Sequence, residues 1–498
     1  MLLAATALYS LASVPLALHY LDKSRFGLWV LMGTMANFLN LIDVGMTGAS
    51  ARLLIDYKDD PNGRGYGGMI CTGWIVSSIQ GMIVFVLGLL AAEYFAKIML
   101  IPHELQSEFI RLIHWQCGAL GLIFSVRIFG LILSSHQRMD LINYFSILGL
   151  LVNFLAQWAF FHCGVGVLSL SFGVLAGGLI CIPIQAFACI SLNLFPKKGH
   201  WGGASWHLFY QLFGYGKDLF LVAVGTQLIM ASQGILITRL LGLDAAALWG
   251  VGTRLFNLLN QVIWKVSDMS GAAFAEMISR GESVLLRYRY RTLAVTTFSL
   301  SGWVAVSFAS CNSIFVSLWT HQKIIWATSN DYLLAVWMII SAVVHAHNVF
   351  ILLTKQIGFM RYVYFLEGIT FVILCLITAP RGGIHAVIIS SIICSTLFSG
   401  IYGIWRISLY FGFPFREVAL GWLLPMSLAL ICYIPVILIT MKFMTGFSPI
   451  IRLSINVLVA IIAGGLCFIK YGIPRELRDE MFHKISLDRF PILRRMLS

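Results

Sequence analysis

The stretch GLWVLMGTMANFLN, at positions 27–40, aligns without a gap to ALWGVGTRLFNLLN, at positions 247–260. The two stretches share a Leu-Trp pair and two asparagines, and Asn37 and Asn257 form one of the equivalent pairs. The offset between them is 220 residues in a chain of 498. A match at a long, fixed offset is the sequence signature of an internal structural repeat.

Two further pairs of stretches follow in the same order at nearly the same offset. LSSHQRMDLINYF at 133–145 matches LTKQIGFMRYVYF at 353–365, and GVGVLSLSF at 164–172 matches GGIHAVIIS at 382–390. One such match could arise by chance, but three in order indicate that the chain consists of two related halves.

The composition is that of a membrane protein with many spans. Hydrophobic residues make up 59% of the chain and charged residues only 11%, whereas roughly a quarter of the residues of a soluble domain are charged. Apolar runs of about twenty residues, the length that crosses a bilayer, recur along the whole chain. We therefore predict an all-α polytopic membrane protein with about 14 transmembrane helices, the first of them at the N-terminus.

The repeat offset contains six predicted spans and so preserves their orientation, which predicts two parallel six-helix lobes. The last two spans lie outside the repeat. The predicted organisation is an N-lobe at 1–195, a cytoplasmic linker at 196–216, a C-lobe at 217–412, helices 13 and 14 at 413–470, and a basic cytoplasmic tail at 471–498. None of the predicted connections is long enough for a soluble catalytic domain.

Positive charge predicts the orientation, because Lys and Arg are retained on the cytoplasmic side. The formal net charge is +13. With both termini cytoplasmic, the basic clusters at 287–291, at Lys197 with Lys198, and from Lys470 to Arg495 all lie on that side. Such clusters set topology and contact lipid headgroups, so they give no reason to expect a nucleic-acid partner.

A polar stripe runs along the eighth predicted span, in LWGVGTRLFNLLNQVIWKVSD at 248–268. Its members recur at spacings of three and four, which places them on one face of a helix; they are Arg254, Asn257, Gln261, Lys265 and Asp268. Ionisable groups in hydrocarbon cost several kcal/mol unless they face water or partners. We therefore expect this face to line a water-filled space between the lobes.

Two interpretations of the stripe stay open. In the structural one, Lys265 pairs with Asp268 and Arg254 caps a helix end or pairs with an acid on a neighbouring span. In the functional one, Arg254 and Lys265 bind a phosphate-bearing substrate while Asn257 and Gln261 supply neutral hydrogen bonds.

Other candidate site residues lie in the first half of the chain. Arg127 stands in the apolar run GLIFSVRIFGLIL, and it either reaches a central cavity or extends to the cytoplasmic surface. Asn37 is the repeat equivalent of Asn257, and we include it among the substrate-binding candidates. Asp43 and Asp268 are the candidates for charge balance or for binding a coupling cation, although Asp43 could equally serve helix packing or capping.

No metal or cofactor site is expected. The ten cysteines are scattered without a CxxC pair, which is typical of buried small hydrophobic residues. His345 and His347 are two residues apart and so point to nearly opposite faces of a helix.

Three stretches resemble polysaccharide flippases of the multidrug/oligosaccharidyl-lipid/polysaccharide exporter superfamily. They are YLDKSRFGLWVLMGTMANFLNLIDVGMTGASARL at 20–53, LILSSHQRMDLINYF at 131–145, and RLLGLDAAALWGVGTRLFNLLNQVIWKVSDMSGAAFAEMISRGE at 239–282. The resemblance extends over nearly the whole chain, including the arrangement of six, six and two helices.

This resemblance implies a transporter rather than an enzyme, in the bacterial cytoplasmic (inner) membrane. It implies a V-shaped pair of lobes around a cationic central cavity, with Arg254, Lys265 and Arg127 in the cavity. The implied activity is translocation of an undecaprenyl-diphosphate-linked oligosaccharide to the outer leaflet by alternating access, for surface polysaccharides such as O-antigen. The implied partners are this lipid-linked glycan, membrane lipids, and the polymerase and glycosyltransferases of the same biosynthesis; no cofactor is implied.

Two other functions remain as alternatives. A cation-coupled multidrug or small-molecule antiporter of the same superfamily would usually have 12 helices and an acidic cavity, whereas the predicted cavity is mainly basic. A membrane enzyme, such as a polymerase or ligase acting on the lipid-linked glycan, would be expected to have a long outer loop, and none of the predicted outer loops is long.

Overall fold

The computed structural model describes residues 1–43, 45–58, 64–197, 199–354 and 358–484, without the side chains of 215–219 and 481–484. Parts of two predicted features lie outside these residues, namely Lys198 of the linker cluster and residues 485–498 of the basic tail. Packing divides the chain into an N-terminal unit, Met1–Gly250, and a C-terminal unit, Val251–Ser498. Within the described residues, the regular secondary structure of both units is helical.

The N-terminal unit contains eleven helices within the described residues. Their bounds are α1 Leu2–Tyr20, α2 Lys23–Leu39, a 3₁₀ turn Asn40–Asp43, α3 Met46–Tyr57, α4 Arg64–Ile98, α5 His103–Val126, α6 Ile128–Ser135, α7 Met139–His162, α8 Leu168–Ser191, α9 Trp206–Met230, α10 Ser232–Leu241 and α11 Leu243–Gly252. The last of these ends two residues beyond the division between the units.

The described part of the C-terminal unit begins with four helices of 26 to 37 residues and ends in shorter helices and irregular turns. The bounds are α12 Arg254–Arg280, α13 Ser283–Trp319, α14 Thr328–Leu353, α15 Met360–Ser395, a π-helical turn Thr396–Gly400, α16 Ile401–Phe411, α17 Phe415–Ala419, a 3₁₀ turn Gly421–Leu423, α18 Leu424–Phe443, α19 Pro449–Val459, a π-helical turn Ala460–Gly464, α20 Gly465–Cys467, a π-helical turn Phe468–Gly472 and α21 Arg475–Lys484.

Twelve helical segments of the described chain are long and apolar enough to cross a membrane. One of them, Met360–Phe411, has 52 residues, and its helix is kinked at Gly383, whose φ of 60° only glycine adopts readily. That length suffices for two crossings. Helix α12 is also long enough at 27 residues but more polar than the others. Counting Met360–Phe411 as two spans and α12 as one more brings the twelve segments to the predicted number of about 14.

The surface of the outer helices is apolar, as a lipid environment requires. Along α18, Leu424, Leu428, Ile431 and Leu438 expose 46–67% of their surface. The interior of the N-terminal unit instead packs fully buried Leu54, Met69, Ile132 and their neighbours between α3, α4, α6, α8 and α9. The arrangement is therefore that of an all-α polytopic membrane protein.

The N-terminal unit extends beyond the predicted N-lobe, because α2 packs closely against α10 and α11. Ser24 Oγ donates a hydrogen bond to Asp244 Oδ1 at 2.7 Å, and these two residues stand at the repeat offset of 220. Gly27 lies directly against the backbone carbonyl of Leu243. The division into units reflects packing, whereas the lobes were predicted from a sequence repeat. The division therefore does not test the predicted lobe boundaries, which stay a prediction.

We expect Gly27→Ala to destabilise the N-terminal unit by about 1–3 kcal/mol, the usual cost of overpacking. The added methyl group would overlap the carbonyl oxygen of Leu243, a backbone atom that cannot rotate away. The matched control is Gly33→Ala on the same helix, where an added Cβ meets nothing within 4 Å. Thermal unfolding in detergent, followed by labelling of buried Cys117 and Cys189, measures both variants. If both variants lost the same amount of stability, the contact between Gly27 and the Leu243 carbonyl would not be the cause of the destabilisation.

Candidate functional site

Helix α12 has one buried and one exposed face. The buried face carries Phe256, Asn260, Ile263, Ser267, Gly271 and Phe274. Asn257, Gln261, Lys265 and Asp268 are exposed, and Arg254 is half-buried. The structure thus places the predicted stripe on one face of one helix, and it is the face that the protein interior does not cover.

The stripe ends in a small cluster of charged and aromatic side chains. Lys265 Nζ lies 3.9 Å from Asp268 Oδ2, and His345 Nε2 lies 2.9 Å from Asp268 Oδ1. The ring of His345 stacks on Trp264 with centroids 4.6 Å apart. The Lys265 side chain is 57% exposed, and an ion pair this long and exposed contributes little stability. Its ammonium group therefore remains accessible to a ligand.

Arg254 stands at an interruption of its helix. Helix α11 ends at Gly252, Thr253 lies between, and α12 begins at Arg254. Arg127 stands at a similar place, between the end of α5 at Val126 and the start of α6 at Ile128. Both arginines named as cavity candidates thus lie where the regular helix is broken.

Arg127 is the centre of a polar cluster that joins three helical segments. Its Nη2 atom donates to Asp43 Oδ1 and to Gln80 Oε1, and its guanidinium carbon lies 4.5 Å from the centre of the Phe124 ring. Gln80 Nε2 in turn donates to the backbone carbonyls of Ile42 at 3.2 Å and Asp43 at 3.1 Å. The side chains of Arg127 and Asp43 are 19% and 18% exposed, so this ion pair is largely withdrawn from solvent.

Asp43 also serves the helix that follows it. Its Oδ1 atom accepts hydrogen bonds from Thr47 Oγ1 at 2.6 Å and from the Thr47 backbone N–H at 3.2 Å. A carboxylate at a helix N-terminus stabilises unpaired N–H groups there. Asp43 is therefore both a helix-capping residue and the counter-ion of Arg127, and its role in cation coupling stays a prediction.

A cavity of about 530 Å³ lies beside this cluster, within the N-terminal unit. Its polar lining comes from Arg127, Ser146, Asn153 and Gln185, and small residues such as Gly149 and Gly177 leave the space open. The volume is within the range of small-molecule sites. Arg127 thus reaches a cavity, but Asp43 neutralises its charge there, and its role in substrate binding stays a prediction.

Asn37 and its repeat equivalent Asn257 are both exposed. The backbone carbonyl of Asn37 accepts a hydrogen bond from Gln227 Nε2 at 2.9 Å, which ties the end of α2 to α9. Asn37 therefore lies on the surface of α2, outside the cluster of Arg127, Asp43 and Gln80.

Sequence reasoning missed three buried polar residues of functional interest. Gln80 completes the Arg127 cluster. Asp331 is fully buried, and its Oδ1 atom accepts from Asn312 Nδ2 and Trp326 Nε1, each at 2.7 Å. Glu367 is 1% exposed and accepts the backbone N–H of Ser399 in the π-helical turn at 3.2 Å. A lone acid in an apolar run, as in YVYFLEGITFVIL, was the signal that could have identified Glu367.

The two histidines occupy separate environments, as their spacing predicts. His345 contacts Asp268, whereas His347 is buried and its Nδ1 atom lies 2.7 Å from the hydroxyl oxygen of Tyr290. Among the residues that the structure describes, no group of three or more metal-ligating side chains occurs. All ten cysteines are free.

No protein-family model matches the chain, and no curated protein matches its sequence. Solved structures do match. An inward-facing multidrug resistance MATE family transporter of the MOP superfamily superposes with a TM-score of 0.69 at 14% identity, covering 81% of this chain and 94% of its own. The lipid II flippase MurJ, in an inward closed conformation, superposes with a TM-score of 0.63 at 13% identity, covering 93% of this chain and 98% of its own. A eukaryotic MATE transporter gives 0.55 at 12% identity, covering 84% and 98%.

These neighbours are transporters and a flippase. At identities of 12–14% the likeness shows the fold and leaves the substrate open. The chain therefore has the polytopic helical fold that MATE transporters of the MOP superfamily share with MurJ.

Proposed function

We propose that this protein moves an undecaprenyl-diphosphate-linked oligosaccharide from the inner to the outer leaflet of a bacterial cytoplasmic membrane by alternating access, for the synthesis of a surface polysaccharide. The observation that carries the proposal is the exposed polar face of α12. Its roles would be to bind the diphosphate through Arg254 and Lys265 and to hydrogen-bond the headgroup through Asn257 and Gln261.

The physical argument begins with what a membrane helix can expose. Leu424 and Leu428 on α18 are the kind of surface that lipid covers, whereas Asn257, Gln261 and Lys265 on α12 would each cost several kcal/mol in hydrocarbon. An exposed polar face on a helix of spanning length supports a water-filled cavity along α12. A lipid diphosphate needs such a cavity only for its headgroup, because its polyprenyl tail can stay in the bilayer.

Two further observations favour a lipid-linked substrate. The MurJ structure covers 93% of this chain, whereas the two MATE structures described above cover 81% and 84%. The MurJ structure is that of a lipid II flippase. The basic residues of the stripe also outnumber Asp268, its single acid, which suits an anionic ligand.

A cation-coupled multidrug antiporter remains the second candidate, because the MATE transporter gives the higher TM-score. The two functions differ in the charge of the substrate. Purified protein in liposomes should flip a fluorescent polyprenyl-diphosphate glycan and should not export a lipophilic organic cation. Export of the cation without flipping of the diphosphate would reverse the assignment. Empty liposomes are the control for spontaneous flipping.

We also expect outward flipping to be faster when the inside of the vesicle is negative. A lipid diphosphate carries about two negative charges, and moving each across 100 mV is worth roughly 2.3 kcal/mol. The measurement is the initial flipping rate before and after the potential is collapsed with potassium and valinomycin, with proton and sodium gradients held fixed. An unchanged rate would contradict the movement of net negative charge with the substrate.

A further inference from the structure

The C-terminal unit contains a second polar cavity, of about 440 Å³, which lies apart from α12. It is bounded by the start of α13, the start of α18, the π-helical turn Phe468–Gly472 and the start of α21. In the orientation predicted from the basic clusters, these elements lie at the cytoplasmic end of the protein. We call this cavity the basic pocket.

Four cationic side chains line the basic pocket, against one carboxylate. The cations are Arg291, Lys470, Arg475 and Arg478, and the carboxylate is Glu476. Next to the pocket, Arg291 Nη2 lies 3.5 Å from Glu417 Oε1, with the Arg291 side chain 55% exposed. This pair is too long and too exposed to remove the excess of positive charge.

Two buried donors of the pocket's lining lack an acceptor. Arg478 is 5% exposed and Trp422 is 1% exposed. Arg478 Nη1 donates to the backbone carbonyl of Lys470, but Arg478 Nε and Trp422 Nε1 are buried without a hydrogen-bond partner. A buried donor left unpaired costs about 1–3 kcal/mol, and both of these donors belong to residues that line the pocket.

The surroundings of the pocket point to a lipid as its ligand. Leu428 lines the pocket and is 46% exposed, and Leu424, one helical turn away on α18, is 59% exposed. A headgroup in the pocket would therefore leave its acyl chains against an apolar surface. Tyr288 and Tyr471 also line the pocket, and tyrosines are typical of the membrane interface.

We propose that the basic pocket binds the phosphate of an anionic membrane lipid in the leaflet next to the C-terminal end of the chain. Lys470, Arg475 and Arg478 supply the positive charge that attracts the phosphate. Basic pockets between membrane helices on the cytoplasmic side are suited to such headgroups. This site is independent of the proposed transport function, since a multidrug antiporter with the same pocket would bind the same lipid.

The test uses the full-length protein in detergent, with phosphatidylglycerol and phosphatidylcholine as probes. Bound lipid is counted by native mass spectrometry, and stabilisation is measured by thermal unfolding. We expect phosphatidylglycerol to bind and to raise the melting temperature, and phosphatidylcholine to do neither. Lys470→Gln and Arg478→Gln should each weaken the binding of phosphatidylglycerol at least tenfold. Arg416→Gln, an exposed arginine on α17 that does not line the pocket, is the matched control.

The outcomes distinguish a lipid phosphate from inorganic phosphate as the ligand, and the pocket residues from other surface charges. Millimolar inorganic phosphate should not displace the lipid; if phosphate alone gave the full stabilisation, the lipid proposal would be overturned. If Arg416→Gln and Lys470→Gln weakened the binding of phosphatidylglycerol equally, binding would depend only on general surface charge. The proposal that the basic pocket is the binding site would then be overturned. If Arg478→Gln does not fold, Lys470→Gln still decides, since the Lys470 side chain is only half-buried.

Discussion

Replacing Arg254 with alanine is expected to lower transport at least a hundredfold while the protein stays in the membrane at normal abundance. Arg254 begins α12 and is half-buried, on the same side of the helix as the exposed Asn257 and Lys265. A guanidinium group can hold two phosphate oxygens at once. Hydrogen bonds to charged groups contribute about 1.5–3 kcal/mol each, so the loss of two amounts to a hundredfold or more. The measurement is surface glycan together with protein abundance, in cells that depend on this transporter.

Two variants sharpen this expectation. Arg254→Lys should retain part of the activity, because lysine keeps the charge but loses the planar fork. Arg280→Ala is the control on the same helix: Arg280 is 63% exposed at the far end of α12 and pairs with Glu276, so its loss should leave transport unchanged. Normal export with normal abundance in Arg254→Ala would contradict the phosphate-binding role. Low abundance would instead indicate that Arg254 is structural.

The sequence predicted the stripe on α12 because a helix has a fixed period. Spacings of three and four residues determine which side chains share a face, and Asn257, Gln261, Lys265 and Asp268 are indeed exposed together. The period does not predict what another helix brings to that face. His345, which contacts Asp268 from α14, was therefore considered only as a metal ligand, and its contact with an acid 77 residues away was not predicted.

The pairing of Arg127 with Asp43 was missed for the same reason. Both residues were singled out by their charge in apolar runs, but they are 84 residues apart and lie in different helical segments. Their contact depends on two local breaks that periodicity does not show. The 3₁₀ turn Asn40–Asp43 follows the end of α2, and Arg127 separates α5 from α6.

The repeat, in turn, predicted more symmetry than the backbone has. Gly33 and Thr253 are equivalent at the offset of 220, yet α2 runs on to Leu39, whereas α11 ends at Gly252. Equivalent sequence positions therefore lie in a continuous helix in one half and at a helix break in the other. Helix breaks depend on which carbonyl and N–H groups neighbouring segments satisfy, which a match of apolar residues does not show.

The Arg127 and Asp43 pair gives the second large expected effect, on stability. Arg127→Ala would leave the carboxylate of Asp43 without its counter-ion, and Asp43→Asn would leave the guanidinium group without its own. Removing one partner of a buried ion pair costs about 3–5 kcal/mol. We expect either change to lower the melting temperature in detergent clearly and to reduce abundance. The double variant Arg127→Gln with Asp43→Asn should recover most of the loss, because no unpaired charge remains.

The control for this cycle is the surface pair Arg138 and Asp140, whose N–O distance is 3.0 Å and whose side chains are 38% and 50% exposed. An exposed pair contributes about 0–1 kcal/mol, so Arg138→Ala should change the melting temperature little. Recovery in the double variant at 43 and 127 would identify the ion pair as structural. Transport by that variant then tests whether either charge also acts on the substrate or on a coupling ion. If the single changes left stability intact but abolished transport, the charges would act in transport, and the structural account of this cluster would be wrong.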